Sequence, residues 1–138
     1  MNNISEIALS QIGIKEIVGS KHNPDVLKYF SEIGHDWVKN DEMAWCSAFV
    51  NWVCKKANKE FTGKLNARSW LDVGTEVKDA KTGDIVILWR EDPNSWKGHV
   101  GIYCRETKNY IYILGGNQAN SVCIKAYQKR LLLGYRRL

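Results

Sequence analysis

Residues 41–56 read DEMAWCSAFVNWVCKK, and this stretch predicts the central helix of the fold. Its large apolar side chains recur at the spacing i, i+3, i+4, i+7 and i+8, which marks one buried stripe on a helix. Cys46 lies one residue off this stripe, in the predicted first turn. Backbone N–H groups and the positive end of the helix dipole stabilise a thiolate there. Cys46 is therefore a candidate nucleophile; the alternative is a small buried apolar residue.

The chain around this helix divides into a helical first part and a strand-rich second part. Helical spacing of apolar residues runs from Ile4 to Gly13, and NPDVLKYFSEIG predicts a second helix capped by Asn23, with Pro24 at its first position and Gly34 at its end. Five β-branched and aromatic segments follow, which are GDIVILW, GHVGIYCRE, NYIYILGGN, SVCIKAYQ and LLLGYRRL. Helices followed by an antiparallel sheet predict an α+β domain.

Composition limits the class of protein. With 138 residues and 44% hydrophobic content, the chain can bury one sizeable core. No segment approaches the ~20 apolar residues of a membrane span, and no N-terminal signal segment is recognised. The formal net charge of +5 favours polyanionic partners without selecting one.

The other three cysteines, Cys54, Cys104 and Cys123, lack a helix start, and we expect them to be structural thiols. The chain has no C-x-x-C pair and no Cys/His cluster at metal-ligand spacing. We therefore predict no metal site and no cofactor.

A nucleophilic thiolate needs a base, and His99 is the best placed of three histidines. KGHVGIY puts it at the entry to a strand, whereas His22 and His35 lie in polar loops. An imidazole base in turn needs a residue that fixes its tautomer. A hairpin turning at 107–109 places Asn117 opposite His99, whereas a register one residue tighter places Gln118 there.

Together these motifs resemble a known family. The order WCSAF, ARSW, GDIVIL, GHVGIY and GGNQ is similar to the NlpC-type cell-wall cysteine peptidases and the related CHAP amidohydrolases. More narrowly, GIKEIVGSKHNP ahead of WCSAFVNW resembles a compact subgroup found in phage lysis proteins and antibacterial effectors. The resemblance implies a minimal papain-like fold, with the nucleophile helix packed on a five-stranded antiparallel sheet. It also implies one catalytic domain over 1–138, with a helical part at 1–40 and a catalytic core at 41–138.

The resemblance assigns roles residue by residue. Cys46 becomes the nucleophile, His99 the general base and Asn117 the orienting residue. The Cys46 backbone N–H is the expected oxyanion donor, with protonated Glu42 as a possible second donor. Two features depart from the family pattern: Trp45 replaces an acidic residue, and an amide stands where many relatives have a second histidine.

Substrate-binding roles also follow from the resemblance. Ser47, Arg68 and Ser69 fall where relatives contact the stem peptide, with Arg68 as a carboxylate clamp. The predicted groove walls and contacts are completed by Trp45, Trp70, Trp96 and Gln118; the alternative for each tryptophan is a place in the core.

The implied activity is hydrolysis of peptidoglycan stem-peptide amide bonds through an acyl-thioester. Two alternatives stay open: an acyltransferase on the same scaffold, and a non-catalytic module that binds cell wall or nucleic acid. For the hydrolase we expect a monomer without nucleic-acid partners. We further expect synthesis in the cytoplasm and access to the wall through phage lysis or a secretion apparatus, with an immunity protein as a possible partner.

Overall fold

A computed structural model describes residues 3–17, 22–37 and 45–138. Three α-helices precede the sheet: α1 at Asn3–Leu9, α2 at Pro24–Ser31 and α3 at Cys46–Lys56. The six strands are β1 at Thr75–Val77, β2 at Ile85–Trp89, β3 at Gly98–Glu106, β4 at Tyr110–Gln118, β5 at Ser121–Gln128 and β6 at Leu132–Arg137. Short 3-10 helices lie at Ala67–Asp72 and Lys129–Leu131.

The sheet is antiparallel throughout, in the order β1-β6-β2-β3-β4-β5. The α+β class is confirmed, but the prediction of five strands is wrong by one. The five segments predicted from sequence correspond to β2–β6. The additional strand is the three-residue β1, whose polar TEV sequence has no strand-like alternation of its own and pairs at the sheet edge with β6.

Helix α3 lies at the centre of the molecule, against β3 and β4 on one side and α1 and α2 on the other. Every residue from Cys46 to Cys54 is buried. The predicted stripe is therefore only part of what α3 buries, because neighbouring elements cover the helix on several sides. The tight packing fixes the position of the first turn.

The two preceding helices begin much as predicted. Asn23 caps α2 by accepting a hydrogen bond from the Asp25 N–H at 2.8 Å, and Pro24 is the first helical residue. Helix α1 ends at Leu9, four residues before Gly13, and the intervening chain forms turns. Gly13 then donates its N–H to the Val122 carbonyl, which ties the N-terminal part to β5.

The sheet has an apolar cluster on each face. The larger cluster joins the helices to one face, where Ile85, Ile87, Val100 and Ile102 point. The alternate residues of the same strands, such as Val86 and Leu88, form a smaller cluster on the other face. The hydrogen-bonded register between β3 and β4 runs from Glu106 opposite Ile111 to Ile102 opposite Leu114. It does not continue to His99, so β3 and β4 separate at the end of the sheet where α3 begins.

Candidate active site

Cys46 is the first residue of α3, and its thiol lies where β3 and β4 separate. The residue is only 8% exposed. Its sulfur receives hydrogen bonds from the His99 ring and from the backbone N–H groups of Val100 and Ser47. Burial by itself would raise the pKa of the Cys46 thiol, but the bond to His99, the charge of that ring and the two N–H groups together bring the pKa below its ordinary value.

The His99 ring extends from β3 to meet the thiol. Its Nε2 lies 2.9 Å from the Gln118 side-chain Oε1, which leaves Nδ1 as the ring nitrogen for Cys46. Burial lowers the pKa of His99, and so does the positive charge of Arg90. The hydrogen bond and charge of Cys46, with the Gln118 contact, outweigh these effects and raise the pKa. A lowered thiol pKa beside a raised imidazole pKa favours a thiolate–imidazolium pair.

Gln118 is held in one orientation by its own hydrogen bonds. Its Nε2 donates to the carbonyl oxygens of Ile113 at 3.1 Å and Cys123 at 2.7 Å. Because those two acceptors require the NH₂ group, the amide oxygen must face His99. An oxygen can only accept there, so His99 carries a proton on Nε2. The buried amide thus fixes the tautomer that leaves Nδ1 available to exchange a proton with Cys46.

The prediction that Asn117 orients His99 is corrected, since Gln118 makes this contact. The predicted register is absent next to the turn, where Glu106 lies opposite Ile111 and not Tyr110. It is present at Ile102 opposite Leu114, after an irregularity in β3, and β4 is irregular again between Gly115 and Gln118. Asn117 adopts φ +57°, the left-handed region in which asparagine is well tolerated. This irregularity redirects the next side chain, as β-bulges do, and sends Gln118 toward the ring.

The two glycines of GGNQ provide the space that this arrangement needs. A Cβ on Gly116 would lie 2.7 Å from the Trp45 ring and 2.8 Å from Phe49, so β4 can approach α3 only with glycine there. A Cβ on Gly115 would lie 2.6 Å from the Gln118 Oε1. Each residue of GGNQ therefore contributes to placing one amide oxygen beside His99.

Tyr127 on β5 is a neighbour of His99 that sequence reasoning missed. Its ring stacks on the imidazole with centroids 5.1 Å apart and planes inclined by 29°. Its hydroxyl lies 3.3 Å from the same Nε2 that faces Gln118. Ala119 and Asn120, which join β4 to β5, both have positive φ, as a two-residue type I′ turn requires. The β4–β5 register then shifts between Gly115 and Gln118, and the shifted register places Tyr127 opposite Ile111. The alternation of residues in the sequence does not indicate this shift.

Four predicted substrate-binding residues lie in the core instead. Trp45 is fully buried and donates its Nε1–H to Glu16 at 2.7 Å. The Ser47 hydroxyl donates to the Lys64 carbonyl and accepts from the buried Trp70. Ser69 bonds within its own turn and to Thr62. The expectation that Trp45, Ser47, Ser69 and Trp70 contact substrate is therefore corrected, because their polar atoms are paired inside the fold.

The guanidinium of Arg68 is likewise paired within the fold. Its guanidinium donates to three backbone carbonyls, those of Lys97 at 2.8 Å, Pro93 at 2.8 Å and Asp92 at 2.9 Å. The predicted carboxylate clamp is corrected, since Arg68 instead fixes the loop before β3. That loop carries Trp96, which is 72% exposed and does line the cleft, as predicted.

The cleft has two arms that meet at His99. A narrow one, the thiol arm, has a volume of about 110 Å³ and is lined by Cys46, Leu65, Asn66, Ala67, Trp96 and Gly98. The other, the tyrosine arm, has about 220 Å³ and is lined by Leu88, Trp89, Lys125, Tyr127 and Leu131. Arg90, His99 and Asn117 line both arms. A substrate lying across the imidazole can therefore occupy both.

A larger cavity of about 350 Å³ lies elsewhere on the surface, where the β3–β4 turn meets the end of β5. It contains neither Cys46 nor His99, so we locate the site by its chemistry rather than by cavity size. Among residues 3–17, 22–37 and 45–138, no cluster of three potential metal ligands is found. Within the same ranges no helix is long and apolar enough for a bilayer span. Glu42, the proposed second oxyanion donor, lies outside the described residues.

Comparison with known families places this geometry in a class. The CHAP domain matches residues 38–117, more than half of the chain, and the chain belongs to the CHAP domain family. CHAP and NlpC/P60 proteins are typically cell-wall hydrolases. A search of curated proteins gives no match.

A solved structure shows the same fold. It is described as similar to a lipoprotein of the NLP/P60 family from Staphylococcus aureus, with 21% sequence identity and a TM-score of 0.57. The match covers 99% of this chain and 40% of that protein's chain. The likeness supports the papain-like α+β fold predicted from the motifs.

Proposed function

We propose that this protein is a cysteine peptidase or amidase that hydrolyses an amide bond of peptidoglycan stem peptides. The observation that carries the proposal is the hydrogen-bonded pair of Cys46 and His99, at a cleft within a CHAP domain. A buried thiol whose pKa is lowered and an imidazole whose pKa is raised suit nucleophilic catalysis near neutral pH. Gln118 completes the group by holding the ring.

In the first step, the Cys46 thiolate attacks the carbonyl carbon of the scissile amide. The C–N bond breaks as His99 gives the proton on Nδ1 to the departing nitrogen. The amine half leaves, and the acyl half stays bound to sulfur as a thioester. Throughout this step Gln118 keeps the ring in place through the Nε2–H contact.

In the second step, water attacks the thioester carbonyl while neutral His99 accepts a proton from it. The C–S bond breaks, the acyl half leaves as a carboxylic acid that gives its proton to solvent, and the thiolate–imidazolium pair is restored. The same histidine is thus acid in one step and base in the next.

The start of α3 supplies electrostatic stabilisation for both steps. First-turn N–H groups of a helix have no carbonyl partner within that helix. The backbone N–H of Cys46 is adjacent to its own sulfur, so it can donate to the oxyanion that forms on the attacked carbonyl. This donor is a backbone group, so it does not depend on the side chains of the first turn, which is formed by Cys46, Ser47 and Ala48.

Digestion of purified sacculi tests the proposal. The wild-type protein should release fragments whose masses show one new amine and one new carboxylate, and the fragment ends identify the bond. Cys46→Ala should release none, whereas Cys54→Ala, which removes a thiol from the same helix, should act like the wild type. Equal release by Cys46→Ala would contradict the proposal. A competing amine that appears in the products would indicate acyl transfer instead.

A further inference from the structure

Two cations line the tyrosine arm, and within the described residues neither forms an ion pair. Arg90 and Lys125 are exposed, and no Asp or Glu within residues 3–17, 22–37 and 45–138 lines either arm of the cleft. Some cations elsewhere have acidic partners, as in Arg137 with Asp84 at 2.7 Å and Lys97 with Glu91 at 2.9 Å. Among the described residues, the cleft therefore presents two cations with no acidic partner.

The direction of the substrate follows from which arm contains which group. Cys46 lines only the thiol arm, so the attacked carbonyl must lie there. The leaving nitrogen must lie near His99, which donates its proton, and His99 lines both arms. The chain beyond the leaving nitrogen can therefore continue past the imidazole into the tyrosine arm, which is the larger of the two.

We propose that the tyrosine arm binds the amine half of the substrate and selects one that carries a carboxylate, through Arg90 and Lys125. This inference rests on the proposed hydrolase function. The planar guanidinium of Arg90 can bind a carboxylate with two parallel hydrogen bonds, and Lys125 adds a second charge. Trp89 and Tyr127 provide apolar walls for the backbone or side chain between the carboxylate and the cut bond.

Of the two cations, Lys125 gives the simpler test. The charge of Arg90 also acts on His99, so Arg90→Gln changes both binding and the base. Lys125 lies above the Tyr127 ring, with Nζ 5.4 Å from its centroid. Lys59 is a matched control, because it is exposed and follows the far end of α3, where its N–H bonds to the Cys54 carbonyl.

The first experiment compares turnover of two substrates. They are synthetic muropeptides that span the bond identified in sacculi, with the amine-half carboxylate either free or converted to a carboxamide. The wild type should prefer the free carboxylate by about tenfold in kcat/KM. Lys125→Gln and Arg90→Gln should each reduce that preference, with the larger loss on the substrate that carries the free carboxylate. Lys59→Gln should keep the wild-type preference.

The second experiment measures binding without turnover. The Cys46→Ala variant is titrated with a stem tetrapeptide whose carboxylates are either free or fully amidated. The same titrations are repeated with the double variant Cys46→Ala/Lys125→Gln. If the free acid binds more tightly than the amidated peptide, and if this difference is lost without Lys125, the subsite is supported. This result supports the subsite even if the wild type cuts no bond, and in that case only the proposed function fails. Hydrolysis of both muropeptides at equal rates, or a preference that survives both substitutions, overturns the subsite and leaves the hydrolase standing.

Discussion

Cys46 and Cys54 lie two turns apart on the same helix, both buried, yet their ionisation differs in direction. Cys54 is fully buried, and burial raises the pKa of its thiol to about 12. Burial acts on Cys46 in the same sense, but the pKa of Cys46 falls below the ordinary value of 9.0. The two positions on one helix therefore shift the pKa of a cysteine thiol in opposite directions.

The difference comes from hydrogen-bond donors and a neighbouring charge. At the start of α3, where β3 and β4 separate, His99 and two backbone N–H groups contact the Cys46 sulfur. For Cys54 the only cause that shifts the pKa is burial. A buried thiol becomes a nucleophile when its environment supplies donors for the thiolate, and burial alone has the reverse effect.

The largest expected effect is the difference in alkylation rate between the two thiols. A pKa below 9.0 for Cys46 and about 12 for Cys54 gives thiolate fractions at neutral pH that differ by more than about 10³. Iodoacetamide at one equivalent should label Cys46 first, as read by peptide mapping. Labelling of Cys54 should become comparable only after denaturation, and equal rates in the folded protein would contradict the comparison.

Removing the base should make Cys46 resemble Cys54. His99→Ala eliminates the side-chain partner that lowers the pKa of Cys46, so the thiol pKa should rise above 9.0 under the remaining effect of burial. Turnover should fall by roughly 10²–10⁴, since a positioned proton donor contributes that much. A circular dichroism melt close to that of the wild type would separate this loss from unfolding. Near-normal turnover would exclude His99 as the base.

The pH profile of the wild type provides a further measurement of the same pair. Below the lower apparent pKa the thiolate takes up a proton, and above the upper one the imidazolium loses the proton that the leaving amine needs. Because the thiol pKa is lowered and the imidazole pKa is raised, kcat/KM should form a bell with a plateau between the two. In His99→Ala the acid limb should move to higher pH. A profile unchanged by His99→Ala would show that other groups titrate.

The orienting amide should have a smaller effect than the base. Gln118→Ala frees the ring to rotate and leaves the Cys46 thiol, its N–H donors and the imidazole present. We expect a loss of about 10–10³ in turnover, since loss of a charged orienting residue costs about 10⁴ and a neutral amide contributes less. Asn117→Gly keeps the left-handed backbone at φ +57° and should cost much less. A larger loss for Asn117→Gly would restore the register predicted from sequence.

How far the sequence predicted this site can be judged at particular residues. Cys46 and His99 were found because a helix start and a strand entry are local features, marked by a helical stripe and by GHVGIY. The pairing of Ile102 with Leu114 agrees with the predicted register, but only because an irregularity between Tyr103 and Arg105 corrects a different register near the turn. The contact of Gln118 with His99 did not follow, because it depends on an irregularity at Asn117 that alternation cannot indicate.

The substrate-binding residues were predicted less well, for a related reason. Four predicted contacts either neighbour Cys46 in the sequence or belong to the ARSW motif, namely Trp45, Ser47, Ser69 and Trp70. Neither property shows whether a side chain points into the cleft or into the core. The guanidinium of Arg68 suits a carboxylate ligand, but in the structure it already donates to three loop carbonyls. The cleft cations come from β5 and from the residue after β2, and only the folded sheet brings them together.

The smallest expected effect tests whether Tyr127 acts on the base or only packs against it. Gln118 already accepts from the His99 Nε2–H at 2.9 Å, and the Tyr127 oxygen at 3.3 Å can share that proton as a weaker acceptor. Tyr127→Phe keeps the stacked ring and removes this oxygen, so turnover should fall by about two- to tenfold with little change in KM. The alkaline limb of the pH profile should move slightly to lower pH, since a second acceptor on Nε2–H favours imidazolium. Tyr127→Ala, which also removes the stack, should lose more. If Tyr127→Phe matches the wild type in both turnover and pH profile while Tyr127→Ala is impaired, Tyr127 only packs against the ring, and Gln118 alone orients His99.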